Sequence, residues 1–117
     1  MENKLTYSFD DEPIIKFCYQ LNGKKMEVHF NRYYSLNENM YVENRCIWIL
    51  ENWDEAKIMV GDDKKLYDLN KYIGIFSLIL YMKFNENEEL EMLVNTLDNR
   101  YITLFFKRPS FILKEIN

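Results

Sequence analysis

A chain of 117 residues is long enough for one domain with its own apolar core, and 48% hydrophobic with 16% aromatic content excludes a disordered chain. The net charge of −4 argues against a nucleic-acid backbone as partner, because such binding depends on clustered Lys and Arg; an acidic protein suits a basic partner instead. Only three glycines and two prolines are present, so Asn and Asp must supply most of the turns.

Residues 1–20 carry acidic groups and lack the basic-then-apolar pattern of a secretory signal, which predicts a cytoplasmic protein. The longest apolar run, 73–82, is about half of the roughly 20 residues that a membrane-spanning helix needs, so no membrane association is expected. Leu5, Tyr7 and Phe9 alternate with Lys4, Thr6 and Ser8, predicting a short half-buried strand over 4–9. The clearest hairpin spans 14–32, turning at Asn22-Gly23, a dipeptide suited to a type I′ turn. That turn pairs Tyr19 with Met26, Phe17 with Val28 and Ile15 with Phe30 on an apolar face, and Gln20 with Lys25, Cys18 with Glu27 and Lys16 with His29 on a polar one.

Residues 33–45 lose the alternation and read as a long loop across a sheet edge. Residues 46–50 are apolar on both sides of the pleat, so this strand should be central, with Trp48 in the core. A further strand is expected over 56–60, while 63–73 fits a short strand slightly better than a helix. The stretch 74–107 reads as a three-stranded meander with hairpins at 75–96 and 89–107. A two-residue turn at Asp98-Asn99 would set Leu93 against Leu104, Met92 against Phe105 and Val94 against Thr103. Pro109 interrupts the pattern before a final edge strand over 110–116. The expected fold is thus all-β, a single domain over 1–117, with one antiparallel sheet curled into a β-sandwich or half-barrel.

Chemistry is sparse. One histidine, His29, cannot build a His-rich metal site, and no phosphate loop, nucleophile elbow or Cys-x-x-Cys occurs, so no catalytic residue, metal or cofactor is expected. Cys18 and His29 share a face of the first hairpin, but Glu27 beside Cys18 disfavours a thiolate. Both Cys18 and Cys46 read as buried thiols within strands, not as a disulfide or a metal pair.

Two features could carry binding. One is the acidic set Glu86, Glu88, Glu89 and Glu91 at and after a hairpin tip, joined at other turns by Asp54, Glu55, Asp62 and Asp63. The other is a set of aromatics in or beside predicted loops, Tyr33, Tyr34, Tyr41, Trp53 and Tyr67, residue types that dominate interface hot spots.

An acidic, Asn-, Lys-, Ile- and Tyr-rich β chain of this size, with its edge hairpin and the late meander reading Glu89-Leu90, Met92 to Thr96 and Asp98 to Tyr101, resembles the small immunity proteins of bacterial polymorphic-toxin and contact-dependent growth inhibition systems. The resemblance is one of type, so no family residue is carried over. It implies a non-enzymatic cytoplasmic inhibitor that binds a cognate toxin domain, often a basic nuclease. The alternative is a small β-barrel whose strands 46–50 and 75–81 line a cavity for an apolar ligand. The Asn22-Gly23 turn generates a direct test: Gly23→Val should lower the melting temperature, since a β-branched residue resists positive φ.

Overall fold

The computed structural model describes residues 5–20, 22 and 24–116. The chain is all-β: 58% is strand and 4% helix, so the sheets form most of the core, joined by Phe9, Trp53 and Leu69 from outside the strands. The elements are β1 (Tyr7–Ser8), β2 (Lys16–Gln20), β3 (Lys25–Phe30), β4 (Tyr33–Ser35), β5 (Met40–Val42), β6 (Cys46–Glu51), β7 (Glu55–Val60), β8 (Tyr67–Asp68), α1 (Leu69–Tyr72), β9 (Phe76–Phe84), β10 (Glu89–Thr96), β11 (Tyr101–Lys107) and β12 (Ser110–Glu115). They make three antiparallel sheets rather than one, ordered β8-β7-β11-β10-β9, β12-β6-β3-β2 and β1-β4-β5. None closes into a barrel.

The two larger sheets form the sandwich. Phe76 at the start of β9 stacks on Phe17 of β2, ring centroids 4.2 Å apart, while Phe84 at its end lies 6.0 Å from Phe111 of β12. Because β2 and β12 are opposite edges of the four-stranded sheet, β9 must run across that sheet, and the strands of the two layers cross steeply. Between them lies one apolar cluster in which Met26, Val28, Trp48, Leu50, Ile79, Leu90, Met92, Val94, Ile102, Leu104 and Phe106 are fully buried. Each such side chain contributes roughly 1.5–3 kcal/mol relative to exposure.

The first hairpin pairs as its sequence predicts, from Lys16 with His29 through Gln20 with Lys25. Leu21 and Gly23 lie outside the described residues. Ile15 departs from the expected face: it is 47% exposed, and its N–H donates to the His29 carbonyl before the strand begins. The first strand is shorter than expected, with Lys4 outside the described residues.

The late meander keeps its three strands but shifts register by one residue. Met92 pairs with Leu104, Leu93 with Thr103 and Val94 with Ile102, because the loop has three residues, not two. Asn99 N–H donates to Thr96 O, Thr96 N–H to Arg100 O, and Asn99 takes φ +62°, a type I turn closed by a left-handed residue. Thr96 Oγ1 also accepts from the Arg100 N–H at 3.0 Å. The preceding turn repeats this construction, with Glu88 N–H to Asn85 O, Asn85 N–H to Glu89 O and Glu88 at φ +60°.

Residues 33–45 are not a long loop. β4 and β5 form a hairpin that pairs with β1 through Tyr7 with Ser35 and Ser8 with Tyr34. This third sheet packs on the sandwich through Phe9, which stacks on Phe30 at 4.2 Å and lies 5.8 Å from Trp48. Its pattern was hidden because three-residue strands are too short to display alternation. Residues 63–73 hold both expected alternatives in succession, β8 and then α1. Residues 46–50 sit centrally as expected, between β12 and β3. Among the described residues no helix is long and apolar enough to cross a membrane.

Trp48 Nε1 donates to the Tyr7 hydroxyl at 3.1 Å, satisfying a fully buried indole. Trp48→Ala should therefore cost about 3–5 kcal/mol, and Tyr7→Phe, which orphans the indole N–H, about 1–3 kcal/mol. Urea denaturation midpoints measure both; a Tyr7→Phe midpoint equal to that of the native chain would mean that the indole has another partner.

Candidate functional site

The predicted site residues separate into three places. Glu86, Glu88 and Glu89 lie at the tip joining β9 to β10, where Asn85 organises the turn: its Oδ1 accepts from the Asn87 and Glu89 N–H groups, and its Nδ2 donates to Glu89 Oε1 at 3.2 Å. Trp53, Asp54 and Glu55 follow β6 and lead into β7. The ladder brings one of them to the tip, since Glu89 pairs with Lys107 and Lys107 pairs with Glu55. Tyr33, Tyr34 and Tyr41 stand on the β4–β5 hairpin. That hairpin lies beside the Cys46 end of β6, about 17 Å of strand from the Glu51 end that precedes Trp53.

Trp53 is not a surface anchor. Only 5% exposed, it packs on Phe106 with centroids 4.9 Å apart, and Lys24 Nζ donates to its carbonyl at 3.4 Å. The connection it occupies spans the two layers, so its ring turns inward to close the core. Of the tyrosines, Tyr33 is half-buried and donates to Glu115 at 2.8 Å; burial and that carboxylate push its phenol up to about 12. Tyr34 is half-buried, donates to Asn39 and meets Tyr41 edge-on at 5.0 Å. Tyr41 is the exposed one, with the Arg32 guanidinium 3.9 Å above its ring. Arg32 donates in turn to the buried Glu12 at 2.7 Å and to Glu43 at 3.2 Å, which makes the cluster a clamp between elements. Tyr67 is tied to its own turn, donating to Asp63 at 2.8 Å.

The acidic groups also sort by partner. Asp54 accepts from Arg108 Nε at 2.6 Å. Asp63 is held below the usual carboxylate range by the Lys65 N–H and then the Tyr67 hydroxyl, and Asp98 by Thr96 and then Arg100. Glu91 accepts from Tyr81 at 2.6 Å, a bond that with burial pushes the Tyr81 phenol up to about 12. Among the described residues Glu55, Glu86, Glu88 and Glu89 make no salt bridge.

Two of these four, Glu55 and Glu89, line a surface groove of about 370 Å³ on the outer side of the five-stranded sheet, floored by Met59, Leu66 and Phe105. Asn85 and Asn87 of the tip line it too, and Lys57 and Lys64 stand on its wall. Lys57 is already engaged by Asp68 at 2.8 Å. The sequence reading missed this floor. Its available signal was Phe105, which strand alternation directs away from Leu104 and Phe106; Leu66, 57% exposed, gave none, since only the tertiary structure leaves it uncovered. A second concavity of about 290 Å³ involves Tyr19, Lys24, Trp53, Asp54 and Asp68, and is mostly polar.

The two thiols lie in different surroundings. Cys18 and His29 share the outer face of the four-stranded sheet, and His29 is lowered from its ordinary value by burial and then by Lys16. Cys46 is buried, and burial followed by Glu115 and Glu12 pushes it up to about 11. Among the described residues no group of three or more His, Cys, Asp and Glu is arranged to hold a metal ion.

The chain matches no protein-family model, no curated protein and no solved structure.

Cys18 is half-buried and only Cys46 is buried, against the expectation for both, and this difference generates a paired prediction. In the native state an aromatic disulfide reagent should modify half-buried Cys18 before unfolding, and Cys46 only after it. Because the folded state raises Cys46 from 9.0 to about 11 and Tyr7 from 10.0 to about 12, their contributions are intact below pH 9 and lost as pH rises through 11 to 12. The melting temperature should fall over that window, and less steeply in Cys46→Ala.

Proposed function

We propose that this chain is a non-enzymatic binding protein that captures a cognate protein partner with a basic surface in the bacterial cytoplasm, in the manner of an immunity protein neutralising a toxin domain. Glu88 carries the reading. Seven described non-glycine residues have positive φ, and four are Asn or Asp, which tolerate it. Of the three long charged ones, Lys24 donates to the Trp53 carbonyl and Arg108 to Asp54, so each is held by a side-chain bond. Glu88 alone has no side-chain partner among the described residues. Yet it bears a left-handed conformation costing roughly 1–2 kcal/mol, at the turn position where the next hairpin uses Asn99.

A carboxylate held in a costly conformation between Glu86 and Glu89, with no internal cation to offset it among the described residues, leaves its charge available to an external one. The neighbouring groove supplies a different contribution. Unpaired carboxylates steer a basic partner toward the rim, and Phe105, Met59 and Leu66 offer apolar area for it to cover. The resemblance of type to immunity proteins points the same way. The apolar-ligand barrel draws no support, since the sheets stay open and Trp48, Leu50 and Ile79 fill the core instead of lining a lumen.

Co-expression with the polypeptide encoded immediately upstream should relieve that polypeptide's toxicity; a harmless upstream product, or unrelieved toxicity, would overturn the immunity reading. With a partner in hand, reversing Glu86, Glu88 and Glu89 to lysine should slow association and flatten its salt dependence while the fold survives. Glu88→Gly should raise stability by up to about 1 kcal/mol while weakening association. Unaltered rate and salt slope in the triple variant would remove the tip from the interface.

A further inference from the structure

We infer that β12 is a self-association edge through which two copies of this chain join into a continuous eight-stranded sheet. The two large sheets have four edge strands, and three of them are blunted. β8 has two residues. The first half of β9 is covered by the segment before β2, with Asp11 N–H donating to Ile79 O and Ile14 N–H to Ser77 O; its second half follows a register shift and carries the exposed Lys83. β2 shares with β12 an uncharged middle and exposed polar ends, but its central Tyr19 is tied by its hydroxyl to Asn70 of α1, and its outward central residue is the half-buried Cys18 instead of an exposed aliphatic one.

β12 has none of these devices at its centre. Six residues long, it has a hydrogen-bonded neighbour on one side only among the described residues, and its middle is Phe111-Ile112-Leu113 without a charge. Phe111 and Leu113 point toward the core yet stay half-buried, while Ile112 points outward beside Ile49 and is 49% exposed.

The occupant follows from the pattern of the strand itself. A two-fold axis perpendicular to the sheet must pass at the level of one residue, because residues opposite one another in an antiparallel pair share a face. Centred on Ile112, the axis sets Ile112 against Ile112 of the second copy, Phe111 against its Leu113, and Ser110 against its Lys114. Centred on Phe111 it would oppose Arg108 and Lys114, two like charges; centred on Leu113 it would oppose Phe111 and Glu115 on the apolar face. Only the Ile112 register has apolar residues facing apolar residues and no like charges opposed. This surface carries none of Glu86, Glu88 and Glu89, so the inference stands apart from the binding function proposed above.

Sedimentation of the full chain over increasing concentration should move from 14.4 kDa toward twice that mass. Ile112→Lys and Ile112→Glu, each placing like charges across the axis, should weaken association about tenfold or more, while an equimolar mixture of the two recovers it. Circular dichroism checks that each variant is folded. As a conservative second variant, Ile112→Cys in a Cys18→Ser background should form a disulfide-linked dimer under mild oxidation, because the two Cα atoms would lie about 4.5–5.5 Å apart. A native chain that stays monomeric throughout, an Ile112→Lys variant that associates as the native chain does, or a mixture that fails to recover would each overturn the proposal.

Discussion

The architecture depends on one buried polar group, the indole N–H of Trp48. A fully buried donor must find an acceptor, and the Tyr7 hydroxyl on a two-residue strand provides it. That bond ties the small third sheet to the centre of the four-stranded one. Phe9, two residues on, stacks on Phe30 and tilts against Trp48, while Phe111 reaches the indole from β12 at 6.4 Å. The ring thus joins the third sheet to the four-stranded one, both at the centre of that sheet and at its β12 edge. The Tyr7 phenol is itself pushed up to about 12, chiefly by the burial this arrangement imposes.

A second constraint is the scarcity of glycine. The chain turns mostly with residues that have side chains, so its left-handed positions carry chemistry that glycine would not. Asn99 and Glu88 close two turns of the same construction, and they differ in what the side chain meets. Asn99 is held within its hairpin, accepting from Asn95 at 3.3 Å. Glu88 projects beyond its own. The same geometry therefore serves register in one turn and presents an exposed carboxylate in the other, while the ladder from Glu89 through Lys107 to Glu55 sets the carboxylates of Glu89 and Glu55, not that of Glu88, on the groove.

The proposed binding rim and the proposed β12 edge would rest on different physics. A carboxylate rim acts at a distance and is screened by salt, so it governs encounter more than residence. An open edge acts at contact, through backbone groups and the apolar side chains flanking them. Because the rim and the edge share no residue, a partner on the first and a second copy on the second would not compete, which would let a dimer present two rims.

Sequence by itself determined the features set by nearest-neighbour chemistry. Binary alternation and Asn-Gly turn chemistry were sufficient for the pairing of Lys16–Gln20 with Lys25–Phe30, because a one-residue slip there would move every apolar side chain to the wrong face. The two-sided apolar run at Cys46 to Leu50 likewise declared a central strand. The carboxylates of the tip were legible as a cluster. Their lack of cation partners was not, because Asp54 and Glu55 are adjacent in sequence yet only Asp54 meets Arg108, across a contact that folding creates. Trp53 read as an exposed aromatic for the same reason: a tryptophan among polar residues declares no direction until two layers close over it. The register of the last hairpin turned on whether three residues or two formed the loop, a choice made by Thr96 and Asn99 within a ladder already flanked by β7 and β9. Which sheet each strand joined, and which edge was left open, was decided only by tertiary structure, because backbone hydrogen bonds are alike for every residue and distant side-chain packing selects among them.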